Sequence, residues 1–210
     1  EEKILHRLLG KAGYATAMVG KWHLGQERAN RPVALGFDHF FGLLGGNHDY
    51  FAHCNRVGAH DLFLDDKPIT RKGYSTDLIT EYALKYLKRM KDRPFFLYVA
   101  YNAPHWPFQG PDDGPIKNRK KNWMAGTRTT YAAMVESLDA GVGRILAAVD
   151  ELDLAGQTLV VFTSDNGGDR RSRNTPLAKR KGTLWEGGIR VPCLARWPGK
   201  LPAGDLSGQV

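Results

Sequence analysis

The sequence holds two cysteines in 210 residues, Cys54 and Cys193, in unrelated contexts. That excludes a disulfide scaffold and a CxxC metal site, and leaves a free structural thiol as the plainer account of each. Nowhere does an apolar run approach the ~20 residues that a membrane helix needs, so no integral membrane segment is expected. The first residues, EEKILHRLLGKAGY, lack the basic start and apolar core of a signal peptide. They read instead as an amphipathic helix already under way. Internal repeats and low-complexity tracts are also missing. Because the chain starts inside a helix and ends on the loose segment PGKLPAGDLSGQV, we expect an excerpt of a longer protein.

What is present is ordinary for a globular domain: 42% hydrophobic and 25% charged residues, with enough length for one sizeable core. Residues 1–210 are therefore expected to form most of a single domain. The net charge of +8 favours anionic partners, and basic runs occur at KNRKK (117–121) and RRSRNTPLAKRK (170–181). Solvated loops would account for such runs as well. No recognition helix, RNP-type strand or zinc-finger spacing accompanies the charge, so nucleic acid is not expected. An acidic small molecule or a sulfated glycan suits the charge equally.

Hydrophobic periods bound the fold. Leu78, Ile79, Tyr82, Ala83, Tyr86, Leu87 and Met90 lie on one helical stripe, with Ser75, Thr76 and Asp77 available as caps and Pro94 as a stop. FFLYVAYN (95–102) reads as a strand buried on both faces. A long helix is expected from about Thr129 through Leu152, then a strand within TLVVFTSDNGG (158–168). With a helix over 1–12, a strand over 14–19 and another over 192–197, the order is helix, strand, helix, strand, helix, strand. That order predicts an α/β fold, a mostly parallel or mixed sheet flanked by helices on both faces. The stretches 42–74 and 103–127 read as long insertions, which in compact domains are functional or disordered.

Ligands of open α/β sheets gather at the carboxyl ends of the strands. Three predicted strands end in unusual chemistry, and parallel strands would place all three on one rim. The first ends at Lys21 and His23, which would face one side while Trp22 faces the other if the strand continues; lone surface basics are the alternative. The second runs through Asn102 to His105, held between Pro104 and Pro107; an ordinary loop histidine is the alternative. The third ends at Asp165 and Asn166, hard oxygen donors for Ca²⁺ or Mg²⁺, with Gly167 and Gly168 permitting a sharp turn. A plain Asp-Asn-Gly turn would look the same. A fourth group lies in KRKGTLWEGGIRVP (179–192), where Lys181, Glu186 and Arg190 sit among glycines. Two lysines, two histidines and a metal ion suit cleavage of an anionic ester.

These motifs resemble the sulfatases of the alkaline phosphatase superfamily. GYATAMVGKWHLG (13–25) is similar to their second signature, TSDNGG to their metal-binding strand end, KGTLWEGGIRVP to their lysine-bearing segment, and GFDHFFGLLGGNHDYF (36–51) to further sulfatase sequence. The matches run in the family's order along nearly the whole chain. The resemblance implies an alkaline-phosphatase-like fold and, for 1–210, the central part of a sulfatase catalytic domain. It implies a formylglycine hydrate as nucleophile, made from a cysteine or serine upstream of residue 1. It also implies that Lys21 binds sulfate and the formylglycine, His23 orients the hydrate or helps expel sulfate, His105 is the acid near the leaving oxygen, and Lys181 binds sulfate. Asp165 and Asn166 would hold calcium, and Asn47, with His48, would lie at a substrate contact.

The chain also departs from the family. The CxPSR-type motif is absent, for Cys54 lies in HCNRVG and Cys193 in VPCLARW, and the family's paired aspartates near the start of the domain are absent too. A phosphatase, phosphodiesterase or phosphonate hydrolase would share the fold; those relatives tend to carry His where Asn166 stands. A non-catalytic sulfatase-like protein binding sulfated glycans is a second alternative. The cluster His48, Asp49, His53, His60 and Asp61 lacks HExxH-type zinc spacing and reads as a surface loop near the substrate entrance. By resemblance, the substrate is a sulfated small molecule or glycan, and the location periplasmic, secreted or lysosomal. The 210-residue chain alone is expected to hydrolyse no sulfate ester, and metal-dependent turnover of a chromogenic aryl sulfate by it would contradict this.

Overall fold

The structure is a computed structural model and describes residues 4–208. The chain divides into two compact units, residues 1–148 and 149–210. The first unit holds a five-stranded sheet whose strands are β1 (Ala15–Lys21), β2 (His39–Leu43), β3 (Phe63–Leu64), β4 (Lys67–Pro68) and β5 (Phe95–Ala100), in the order β4-β3-β2-β1-β5. β1 pairs in parallel with both β2 and β5, while β3 and β4 add on as an antiparallel ribbon. The mixed, mostly parallel sheet expected from the sequence is therefore present.

β1 is buried along its length because helices cover both of its faces. Ala15, Ala17 and Val19 point to one side, where α2 (Ser75–Met90) lays down Tyr86, Met90, Leu78 and Ile79. Met18 points to the other, into a cluster with Trp22, Phe37, Phe40 and Leu44. Helix α1 (Leu5–Lys11) reaches this second face through His6, whose ring stacks on Phe37 at 3.9 Å. Each large apolar side chain buried this way contributes about 1.5–3 kcal/mol relative to exposure. Residues 1–3 of the helix expected over 1–12 lie outside the described residues.

The sheet also requires glycine at two facing positions. Gly20 (φ +116°) and Gly42 (φ +154°) are neighbours in the parallel register, and a Cβ on Gly42 would strike the Gly20 carbonyl. A Cβ on Gly20 would in turn strike the carbonyl of Ala100 in β5. Close strand approach at the carboxyl edge thus depends on missing side chains.

Several expectations are corrected. β5 is the edge strand among the described residues, with Tyr98 50% exposed, so its apolar run is not buried on both faces. The α2 cap position is Tyr74 with no side-chain cap, because the Ser75 hydroxyl is engaged elsewhere. The stretch 42–74 is not merely an insertion: it contains the end of β2 together with β3 and β4.

α3 (Arg119–Asn122) is a single turn, and α4 (Arg128–Glu151) is the long helix expected from about Thr129. The second unit contains β6 (Val160–Thr163) and β7 (Cys193–Arg196), paired antiparallel in a sheet of their own, with the short α5 (Glu186–Ile189) between them. Within the first unit, two of the three expected strand ends, those of β1 and β5, lie at one edge of the sheet.

Candidate functional site

In the first unit, β1, β2 and β5 run parallel, so their carboxyl ends form one edge. Lys21, half-buried, ends β1 opposite Leu43. Trp22 then turns inward, and its indole N–H donates to the Asn30 carbonyl at 2.8 Å. The strand does not continue past it: His23 takes φ +59°, while its N–H still donates to Leu44 O at 3.2 Å. The expected alternation of Lys21 and His23 about Trp22 is therefore replaced by a turn that leaves His23 exposed. A non-glycine residue in this left-handed region is uncommon, histidine being one of the types that tolerate it, and costs about 1–3 kcal/mol. Across the edge, a Cβ on Gly46 would strike the His23 imidazole, so the loop after β2 abuts that ring.

β5 delivers the third group to the same edge. His105 is half-buried, its N–H donates to Asn102 O at 2.8 Å, and its carbonyl accepts from the Tyr50 hydroxyl at 2.9 Å. Its Nδ1 lies 2.8 Å from the Trp106 carbonyl, which can only accept. Nδ1 then carries a proton. Asn102 is buried at 2% exposure, and neither of its amide atoms finds a protein partner. An orphaned buried amide costs about 1–3 kcal/mol, which marks this edge as more than packing.

Asn47 accepts a hydrogen bond from the Trp123 indole at 3.2 Å, and an open pocket of about 250 Å³ lies over Gly45, Gly46 and Asn47. Beneath it, the His and Asp cluster is no surface loop: His48, Asp49, His53 and Asp61 are all buried, and only His60 is exposed. The physical reason is that these polar groups satisfy loop amides. Asp49 accepts from the N–H groups of Phe51, Ala52 and Ile116 and from the Gln109 side chain. Burial alone would raise its carboxyl, but those donors outweigh it and hold it below the usual range. Asp61 accepts from the N–H groups of Leu44 and Gly45, and burial raises its carboxyl against them.

His48 lies between the Asp61 carbonyl at Nδ1 and the Ser75 hydroxyl at Nε2, each 2.8 Å away. The carbonyl can only accept, so Nδ1 carries the proton, and the Ser75 hydroxyl at Nε2 also lies 3.0 Å from the Tyr50 carbonyl. Burial holds this imidazole neutral, lowering its pKa to about 3 against the pull of the Asp61 carbonyl.

In the second unit, Asp165 is exposed and Asn166 half-buried on the turn after β6. Gly167 N–H donates to Gly188 O at 2.9 Å, and Lys181 N–H donates to Gly168 O at 3.0 Å. A Cβ on Gly167 would strike the Gly187 carbonyl, so the two glycine pairs let these backbones interlock. The structure thus brings Lys181 to the Asp165–Asn166 turn, as it brings Lys21, His23, His105 and Asn47 to one edge of the first unit. Asp165 and Asn166 suit calcium in donor chemistry and would supply two of the six to eight oxygens it takes. Among the described residues, no group of three or more His, Cys, Asp or Glu is placed so that it could hold a metal ion.

The family model for sulfatases matches residues 1–210. The chain belongs to the sulfatase family. It is 36% identical over 228 residues to an N-acetylgalactosamine-6-sulfatase of Sus scrofa, an alignment covering 100% of this chain and 42% of that protein. Arylsulfatase J of Mus musculus is 38% identical over 198 residues, covering 89% of this chain and 33% of that protein. The solved structure of Ps i-CgsB in complex with k-i-k-neocarrahexaose superposes with a TM-score of 0.83 at 35% identity, covering 95% of this chain and 48% of that one. This sulfatase chain therefore spans about two-fifths of the length of the curated N-acetylgalactosamine-6-sulfatase it matches, and its fold is alkaline-phosphatase-like. Among the described residues, no helix is long and apolar enough to cross a membrane.

Sequence reasoning missed Asn102 as an orphaned amide and the buried role of His48; no local pattern in the sequence announces either. His48 makes a pH prediction. Its unfolded pKa is the ordinary 6.5 and its folded value about 3, so the unfolded chain binds the extra proton between them. Its contribution is present above pH 6.5 and declines as pH falls toward 3. Burial lowers His53 as well, which acts in the same direction. Urea midpoints measured from pH 7 to pH 4 should fall steeply for the natural sequence and less steeply for His48→Gln, whereas equal slopes would contradict the assignment.

Proposed function

We propose that these residues form the anion-handling part of a sulfuric ester hydrolase acting on carbohydrate sulfates. The observation that carries this reading is the strained turn setting His23 beside Lys21, against Gly46, at the carboxyl edge of the parallel strands. The relative named N-acetylgalactosamine-6-sulfatase and the similar structure in complex with k-i-k-neocarrahexaose support a glycan over a small aryl sulfate. Location outside the cytoplasm, in a periplasm, lysosome or secreted pool, belongs to the same proposal.

Cleavage breaks the S–O bond, leaving negative charge on the departing sugar oxygen and on the transferred sulfate. Lys21, on β1, holds sulfate charge, and a cation fixed where charge develops contributes more than one in bulk water. Lys181, of the second unit, is assigned the same charge. With its ring doubly protonated, His105 donates the Nε2 proton to the leaving oxygen while the Trp106 carbonyl keeps the proton on Nδ1. His23 orients the attacking group or helps release sulfate. Asp165 and Asn166 would hold calcium, which supplies Lewis-acid stabilisation of a sulfate oxygen. The nucleophile is assigned to a formylglycine in a CxPSR-type motif that these 210 residues do not contain.

A second reading rests on Lys21, Lys181 and the basic loops alone: a sulfatase-like protein that binds sulfated glycans without cleaving them. One experiment separates the two. The product of the complete reading frame should release sulfate from N-acetylgalactosamine-6-sulfate, and Lys21→Ala should lower kcat/KM by about a hundredfold or more. Binding without release would favour the second reading; unimpaired turnover by Lys21→Ala would overturn the site assignment.

A further inference from the structure

The pocket over Gly45–Asn47 has a second wall that the hydrolysis reading does not use. It is formed by Asn55 and Arg56, on a tight loop whose ends meet in a Cys54–His60 bridge. Asn55 Oδ1 accepts from the N–H groups of Val57 and Ala59 at 3.1 and 3.0 Å, and Asn55 N–H donates to Ala59 O at 2.8 Å. Arg56 is therefore presented from a preorganised loop rather than a floppy one.

The basic turn α3 is fastened to the same place at three points. Arg56 Nη2 donates to the Lys120 carbonyl at 3.0 Å. A Cβ on Gly58 would lie 3.1 Å from Arg119 Nη2. Trp123, buried just after α3, donates to Asn47 in the pocket floor. Arg56 lines the mouth, the Arg119 guanidinium lies beside its loop at Gly58, and Lys120 and Lys121 follow in α3; among the described residues none of the four is ion-paired with a carboxylate. The carboxylate in the lining, Asp61, points its oxygens at the amides of Leu44 and Gly45. Two guanidinium groups brought to one loop repel each other, and an external anion between them would relieve that. Guanidinium groups suit the flat, paired oxygens of sulfate and carboxylate.

We propose that Arg56, with Arg119 and the rest of α3 behind it, forms a second anion subsite. It binds a sulfate or carboxylate on a sugar adjoining the one whose ester lies at Lys21 and His23, and so selects polyanionic glycans over small sulfate esters. What occupies the neighbouring position rests on the hydrolase reading; the anion subsite itself does not.

The test uses the product of the complete reading frame and two probes, a hexasaccharide sulfated on every disaccharide and 4-nitrophenyl sulfate. By calorimetry, Arg56→Gln should weaken hexasaccharide binding about tenfold, and Arg56→Gln with Arg119→Gln further still. Arg56→Lys should recover part of the loss. The KM for 4-nitrophenyl sulfate should stay within about twofold, with the thermal midpoint of each variant confirming that it folds. Unchanged hexasaccharide affinity in the folded double variant, or no binding by the natural sequence, would overturn the proposal. Absence of turnover with both probes would sink the hydrolase reading while the affinity comparison still decided the subsite.

Discussion

The parallel pairing of β1 between β2 and β5 is the constraint on which the first unit depends. It buries β1 on both faces, and it brings three carboxyl ends to one edge. The approach is close because Gly20 and Gly42 carry no side chains where carbonyls of the neighbouring strands come near. At that edge the chain changes use within three residues: Lys21 finishes the ladder, Trp22 anchors inward and His23 turns out. The indole is thus the fulcrum that lets two cationic groups leave a buried strand without dragging it from the core.

Beneath the edge lies a polar layer rather than an apolar one. His48, Asp49, Asp61, Ser75 and Gln109 are buried and largely occupied with backbone amides and carbonyls of the loops following β2 and β5. Loops with so many backbone groups inside the fold need partners for them, and this layer supplies them. Rigid loops in turn hold Asn47, Arg56 and His105 at defined positions. A neutral His48 makes this support sensitive to acid.

Much of this was legible in the sequence. The helical stripe of α2, the long period of α4 and the GYATAMVGKWHLG strand are strong local signals, and the four motifs carry a family resemblance that the sulfatase family model bears out. Two things were not legible. Burial of the His and Asp cluster depends on contacts with Ile116, Gln109 and Ser75, distant in sequence, so a polar composition read as a surface loop. β6 pairs with β7, which lies well along the chain, and a strand-by-strand reading does not reveal that partner. Strand periodicity reports that a strand exists, while its partner is set by tertiary contacts.

The proposed function requires the carboxyl edge of β1 to hold a tetrahedral anion. A crystal structure of the product of the complete reading frame soaked with selenate, located by its anomalous scattering, tests this. Selenium density is expected within hydrogen-bond reach of Lys21 Nζ and beside the His23 ring. Selenate ordered elsewhere, with the edge of β1 empty, would contradict it.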